Sequence, residues 1–183
     1  STLFVALSQL AGLKSNLVLV STNENSAHMM SLPSKDFNHC IVKTTIDGKE
    51  TYLELTDKFL PFKALPMSLY KANALIISFD KTENEKAEIV EIPFDNAIVN
   101  GLSSTSIVTV TDTEVNFVNT HIVKGANKSY YNELFSNSTT EDVRKKDLEE
   151  QFSSKIKKGI KLQSVKVIKN DTFCQYKIIS STC

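Results

Sequence analysis

The 183-residue sequence is poor in cysteine, in net charge and in long apolar runs. Its three cysteines include no C-x-x-C pair, which argues against a zinc site or a dense disulfide framework. Lys and Arg number 21, and Asp and Glu also number 21, so no long-range attraction for nucleic acid or anionic lipid exists. No apolar run approaches the ~18 residues of a membrane span. We therefore expect no nucleic-acid partner, no membrane span and no zinc.

Apolar residues make up 41% of the chain, which is enough for a hydrophobic core, and 23% of the residues are charged. This length fits one large domain or two small ones. Residues 80–86, Asp-Lys-Thr-Glu-Asn-Glu-Lys, have the composition of a linker. We place the domain boundary there, between residues 1–79 and residues 80–183.

The first part has the pattern of an α+β domain. Residues 2–11 are good helix formers, and Gly12 suits the position after the last turn. Because this helix is apolar on nearly all sides, we expect it to be buried. Apolar runs at residues 16–21 and 75–79 predict strands. The chain begins inside the helical pattern and ends next to a strand-like one, so we expect a fragment of a longer protein.

The strongest local pattern consists of two strand-like runs separated by Asp47-Gly48, which predicts a β-hairpin with a two-residue turn. That turn fixes every cross-strand pair. The predicted apolar face contains Cys40 opposite Leu55, Val42 opposite Leu53 and Thr44 opposite Thr51. On the other face, His39 and Glu54 become diagonal neighbours, about 7–8 Å apart at the backbone. A slip of one residue would separate them.

A carboxylate beside an imidazole fixes the ring tautomer and favours the imidazolium, which leaves the other nitrogen to act as a base toward a thiol or hydroxyl. His39 and Glu54 are therefore the candidate catalytic residues. The alternative, which the pairing alone favours, is a half-exposed histidine near an acid with no chemical role. His28, in a polar loop, and His121, at the end of a predicted strand, are interpreted as structural.

The second part predicts a strand-rich domain with one helix. The helix lies near residues 140–158, begins with an N-cap threonine and early acids, and carries apolar residues at Val143, Leu148, Phe152 and Ile156. The strands are predicted at residues 87–92, 105–110, 114–121, 162–169 and 173–180.

Several short motifs follow one another in an order that is informative as a set. They are Leu10-Ala11-Gly12, Leu17-Val18-Leu19-Val20, Phe37-Asn38-His39, Leu53-Glu54-Leu55-Thr56, Leu60-Pro61-Phe62 and Leu65-Pro66. This series resembles the second half of a bacterial transglutaminase-like core joined to domains of unknown function. The resemblance covers residues 1–79 well and the remainder weakly. It implies a partial transglutaminase- or papain-like core, with a buried helix and an antiparallel sheet, followed by a β-rich domain.

The resemblance also implies roles for particular residues. His39 matches the catalytic histidine of the family, and Glu54 matches the orienting acid, which is usually Asp. The nucleophilic cysteine has no match, and by the family pattern it would lie a few residues before Ser1. Cys40 is excluded because it points to the opposite strand face from His39. We therefore expect the chain itself to be inactive.

The implied chemistry is acyl transfer or hydrolysis at amide or peptide bonds through a thioester, without metal or organic cofactor. Its partners would be protein or peptide substrates. The family resemblance also implies a periplasmic or secreted location. The alternative function is a non-catalytic binding or scaffolding module, which the change from Asp to Glu at position 54 and the missing cysteine favour.

Overall fold

The computed structural model describes residues 1–25, 37–78, 87–94, 100–155, 161–169 and 173–182. The chain divides into two compact units, Ser1–Val99 and Asn100–Cys183. Each unit combines helix with an antiparallel sheet, so the predicted α+β class is confirmed. Within this described part, no helix is both long enough and apolar enough to cross a bilayer.

In its described residues, the first unit contains one α-helix and one antiparallel sheet. Helix α1 (Thr2–Leu10) precedes strands β1 (Ser15–Ser21), β2 (His39–Ile46), β3 (Lys49–Leu53), β4 (Asn73–Ile77) and β5 (Ala87–Glu91). The strand order is β3-β2-β1-β4-β5. The central position of β1 explains its continuous apolar run, because a central strand covered on both faces needs apolar side chains on both.

The predicted hairpin and its register are confirmed. Val42 pairs with Leu53, as a two-residue turn requires. The turn residues Asp47 and Gly48 have φ angles of 51° and 74°, which is the left-handed geometry that matches the twist of the two strands. Glycine at the second position is favoured because it has no Cβ to strain this conformation.

Replacing Gly48 by alanine is expected to destabilise the first unit by about 1 kcal/mol, because a side chain is strained at a positive φ. A Cβ there would meet no atom within 4 Å, so the cost is conformational and not steric crowding. Urea unfolding measures the change. Gly101→Ala is the matched control, since its Cβ also has open space and its φ is not positive. Equal losses in the two variants would contradict the turn assignment.

The two faces of the first sheet carry separate apolar clusters. Ile41 belongs to one cluster, together with Val18 of β1. Val42 belongs to the other, where it packs against Val5 of α1. Helix α1 therefore covers the face that contains Val42. Because side chains alternate along a strand, His39 shares the opposite face with Ile41.

Helix α1 is not buried, and this part of the prediction is wrong. Only Val5 and Ser8 are buried, whereas Leu3, Leu7 and Leu10 are 72%, 56% and 85% exposed. The helix packs on the sheet along one narrow side. Because the helix sequence is apolar on nearly all sides, it does not reveal which side packs on the sheet. It also does not reveal that the remaining sides are exposed.

Strand β5 belongs to the first unit, whereas the sequence placed it in the second. It pairs with β4, with Glu88 opposite Ile76, and the boundary between the compact units falls after Val99. The predicted boundary at residues 80–86 lies outside the described residues. The strand that follows it is an exposed edge with few buried side chains, so its sequence carries little information about which sheet it joins.

The second unit is a four-stranded antiparallel sheet with two helices. Its strands are β6 (Gly101–Val110), β7 (Val115–Lys124), β8 (Lys161–Lys169) and β9 (Phe173–Thr182), in the order β6-β7-β9-β8. Helices α2 (Lys128–Leu134) and α3 (Glu141–Lys155) lie between β7 and β8. The prediction of a single helix is corrected, because α2 was missed. The core consists of Val123, Tyr131, Leu134, Leu148 and Phe152.

Candidate functional site

The predicted pair of His39 and Glu54 is formed. His39 is the first residue of β2, and Glu54 directly follows the last residue of β3. The Nε2 atom of the imidazole contacts the Oε2 atom of the carboxylate. The hairpin register brings the two side chains together, as expected from the two-residue turn. The catalytic role of the pair stays a prediction.

The Glu54 carboxylate is buried and accepts several hydrogen bonds. Only 3% of its side chain is exposed. Its Oε1 accepts from the backbone N–H of Thr56 at 2.6 Å and from the Thr56 hydroxyl at 2.5 Å. Burial acts to raise the pKa of this carboxyl, but the hydrogen bonds from Thr56 and His39 together lower the pKa below its ordinary value of 4.5. Glu54 is therefore an anion at neutral pH.

An anionic Glu54 determines which nitrogen of the neutral His39 ring carries the proton. A carboxylate only accepts hydrogen bonds, so Nε2 must be the donor in this contact. The lone pair of Nδ1 is then left as the proton-accepting atom of the ring. The His39 side chain is 26% exposed, so a reactant can approach it. This is the arrangement that general-base chemistry needs.

The residue before His39 holds the backbone at the start of β2. The amide N–H of Asn38 donates to the carbonyl of Val20 at 3.1 Å. Its side-chain oxygen accepts from the N–H of Thr22 at 2.9 Å, and its side-chain nitrogen donates to the Thr22 hydroxyl at 2.8 Å. These bonds join the start of β2 to the end of β1, and they fix the position from which the imidazole projects.

His39 lies between two clefts. The larger has a volume of about 730 Å³ and is lined by Ser1 and Thr2, at the N-terminal end of α1, together with His39 and Thr56. The smaller has a volume of about 300 Å³, shares His39 and Thr56, and is also lined by Glu24. Both volumes are in the range of ligand-binding sites. The end of the sheet thus brings the imidazole and the first turn of α1 to one open space.

Cys40 follows His39 in sequence and also lines the larger cleft, but its side chain lies on the other face of the strand. Alternation turns its side chain to the face that α1 covers, where its Sγ lies 3.9 Å from the carbonyl oxygen of Ile41. The backbone carbonyl of Cys40 accepts a hydrogen bond from the Ser1 hydroxyl at 2.8 Å. This contact joins the tip of α1 to the strand that carries His39.

The other histidines and cysteines named from the sequence lie outside the described residues or in the second unit. His28, Cys183 and the side chain of Cys174 lie outside the described residues. His121 belongs to the second unit, where its ring centroid lies 5.8 Å from that of Phe152. Among the residues with assigned positions, no group of three His, Cys, Asp or Glu side chains could hold a metal ion.

Thr56 is the site residue that sequence reasoning missed. The hairpin register placed it opposite His39 and it ended a motif, but it was given no role, yet it makes both hydrogen bonds to Glu54 Oε1. Asp and Asn side chains often bond to the backbone two residues further on, but glutamate is one methylene longer, so the spacing of Glu54 and Thr56 did not point to this contact.

No family model, curated protein or solved structure matches this chain. The transglutaminase-like resemblance therefore rests on the sequence motifs alone and stays a prediction.

Proposed function

We propose that the larger cleft is the general-base half of a transglutaminase-like site that transfers acyl groups from amide or peptide bonds. The observation that carries this proposal is the shared cleft. An imidazole anchored by a buried anion borders the same space as the first turn of a helix. The start of a helix stabilises a thiolate through its dipole and its free N–H groups.

The proposed reaction uses Nδ1 of His39 twice. Nδ1 takes the proton of a thiol that the resemblance places a few residues before Ser1, at the start of the helix, and the thiolate attacks the carbonyl carbon of an amide. The imidazolium then gives its proton to the leaving amine as the carbon–nitrogen bond breaks, and a thioester remains. An amine or water attacks the thioester, loses its proton to Nδ1, and releases the thiol. Glu54 stabilises the imidazolium in both steps.

The Glu54 side chain is held in place although it is longer than the aspartate of the family. Glutamate has one methylene more than the aspartate of the family, which suggests looser positioning of the imidazole. Here both carboxylate oxygens are engaged, Oε1 by Thr56 and Oε2 by His39. The longer side chain is therefore fixed at its far end.

The decisive test is to place a thiol in the cleft. Ser1→Cys puts a thiol at the N-cap position of α1, in the cleft that His39 lines. We expect iodoacetamide to modify position 1 about tenfold faster at neutral pH than in the double variant Ser1→Cys, His39→Gln, because the reaction rate follows the thiolate fraction. Glutamine can still donate to Glu54 but cannot take a proton. Peptide mass spectrometry quantifies the modification of position 1 separately from that of Cys40, which lines the same cleft.

Leu3→Cys provides the matched control. Leu3 lies on the same first turn and is 72% exposed, so its thiol senses the helix dipole without lining the cleft. Its modification rate should be unaffected by His39→Gln. Any influence of the terminal amine is the same in both Ser1→Cys proteins. Equal rates for these two proteins would contradict the proposal and favour the non-catalytic binding module.

The substrate class and location belong to the same proposal. A protein or peptide substrate that carries a carboxamide follows from the family resemblance. A periplasmic or secreted location rests on the family resemblance alone.

A further inference from the structure

Among the described residues, Thr56 donates the most hydrogen bonds to the Glu54 carboxylate. Its N–H and its hydroxyl both donate to Oε1 of Glu54, at 2.6 Å and 2.5 Å. With Oε1 engaged twice, Oε2 is the oxygen that faces His39. The plane of the carboxylate is therefore set by Thr56, and the plane of the carboxylate sets the direction in which the imidazole can donate.

Burial makes this arrangement sensitive to the loss of one donor. The Glu54 side chain is 3% exposed, so water cannot readily replace a missing hydrogen bond. Thr56 itself is exposed, so its hydroxyl is not required to fill the core. Its side chain also lines both clefts beside His39. A role in packing alone does not account for two short bonds to one carboxylate oxygen.

We infer that Thr56 is a positioning residue for His39: its hydroxyl orients the Glu54 carboxylate, and the carboxylate keeps the Nε2 proton of the imidazole in place. Thr56 acts through Glu54 and touches no reacting atom. The statement that this holds Nδ1 ready as a base rests on the proposed function. The effect on the Nε2 proton does not, because it is a property of the resting site.

The test is the rate at which the His39 Nε2 proton exchanges with water, measured by NMR on the chain as it is. Thr56→Val removes the hydroxyl and keeps the side-chain shape and the backbone N–H. We expect about tenfold faster exchange, since a hydrogen bond to a charged group is lost. Thr56→Ser retains the hydroxyl and should exchange within about twofold of the parent rate.

Two controls separate local positioning from a general loss of stability. Backbone amides of β1, such as that of Val18, report global opening and should exchange at the parent rate in every variant. Thr51→Val is the matched substitution, because Thr51 lies in β3 and donates only a long bond of 3.4 Å to the Lys49 carbonyl. It should leave the Nε2 proton unaffected. If Thr56→Val does not fold, Thr56→Ala compared with Thr56→Ser makes the same test.

Three outcomes would overturn the inference. They are an unchanged Nε2 exchange rate in Thr56→Val, equal acceleration in Thr56→Ser, and acceleration of the β1 amides in parallel with the ring proton. None of these bears on whether a thiol in the cleft is activated. Conversely, an unreactive thiol in Ser1→Cys would refute the proposed function and leave the role of Thr56 in the resting site intact.

Discussion

Replacing Leu148 by alanine is expected to destabilise the second unit by about 2–5 kcal/mol. Leu148 is 0% exposed, and it lies on α3 in a cluster that joins the two helices to the sheet. Truncation removes transfer free energy and leaves a cavity that surrounding side chains fill only in part. Hydrogen exchange of the β7 and α3 amides, with urea unfolding, measures the loss.

Val143→Ala is the control on the same helix. Val143 is 57% exposed, so its truncation should change stability by no more than about 0.5 kcal/mol. The sequence pattern predicted that Val143 and Leu148 both lie on the apolar side of α3. Comparing the two substitutions therefore tests whether both residues are buried or only Leu148. Comparable losses at both positions would show that α3 buries a different side from the one described.

The parts of the fold that could be predicted are those that local geometry decides. A two-residue Asp-Gly turn permits one register, and that register placed His39 and Glu54 on one face. The start of α3 could also be predicted from residues that are adjacent in sequence. Thr140 precedes its first residue, and the Thr140 hydroxyl accepts from the N–H of Val143 at 3.4 Å, as an N-cap residue does.

The parts that could not be predicted depend on tertiary contacts. Helix α2 has only seven residues, a length at which an isolated helix is unstable in water. Its stability comes from Tyr131 and Leu134, which are buried in the second core. The contacts of Arg144 on α3 are also tertiary, because its side chain donates to the carbonyls of Leu134 and Thr139, at 2.9 Å and 3.2 Å.

The candidate site likewise has a part that local geometry predicts and a part that depends on tertiary contacts. The acid and the imidazole follow from the register, but the role of Thr56 depends on how the chain turns after β3. The approach of the α1 tip to the start of β2 is a long-range contact between Ser1 and Cys40. No spacing in the sequence specifies it.

Replacing Glu54 by glutamine is expected to destabilise the first unit by about 1.5–3 kcal/mol at neutral pH, the range for hydrogen bonds to a charged group. Three donor contacts meet the carboxylate, two from Thr56 and one from His39. Glutamine offers one oxygen and one NH₂ group. If the oxygen keeps the Thr56 bonds, the NH₂ group faces Nε2 and selects the ring tautomer with its proton on Nδ1. The same substitution should therefore abolish activation of the Ser1→Cys thiol.

Acid should reduce this difference in stability between the parent and Glu54→Gln. The folded-state pKa of Glu54 is lowered, so its carboxylate contributes full stability above its ordinary value of 4.5. That contribution is lost as the pH falls through the lower folded-state pKa, whereas glutamine does not titrate. Unfolding curves at neutral pH and at successively lower pH values measure this gap, which is the difference in free energy of unfolding between the two proteins.

Glu50→Gln is the control, because its side chain is 68% exposed in an ion pair with Lys43, a pair worth about 0–1 kcal/mol. A gap that is independent of pH, or no larger than that of Glu50→Gln, would contradict a buried carboxylate held as an anion by Thr56 and His39.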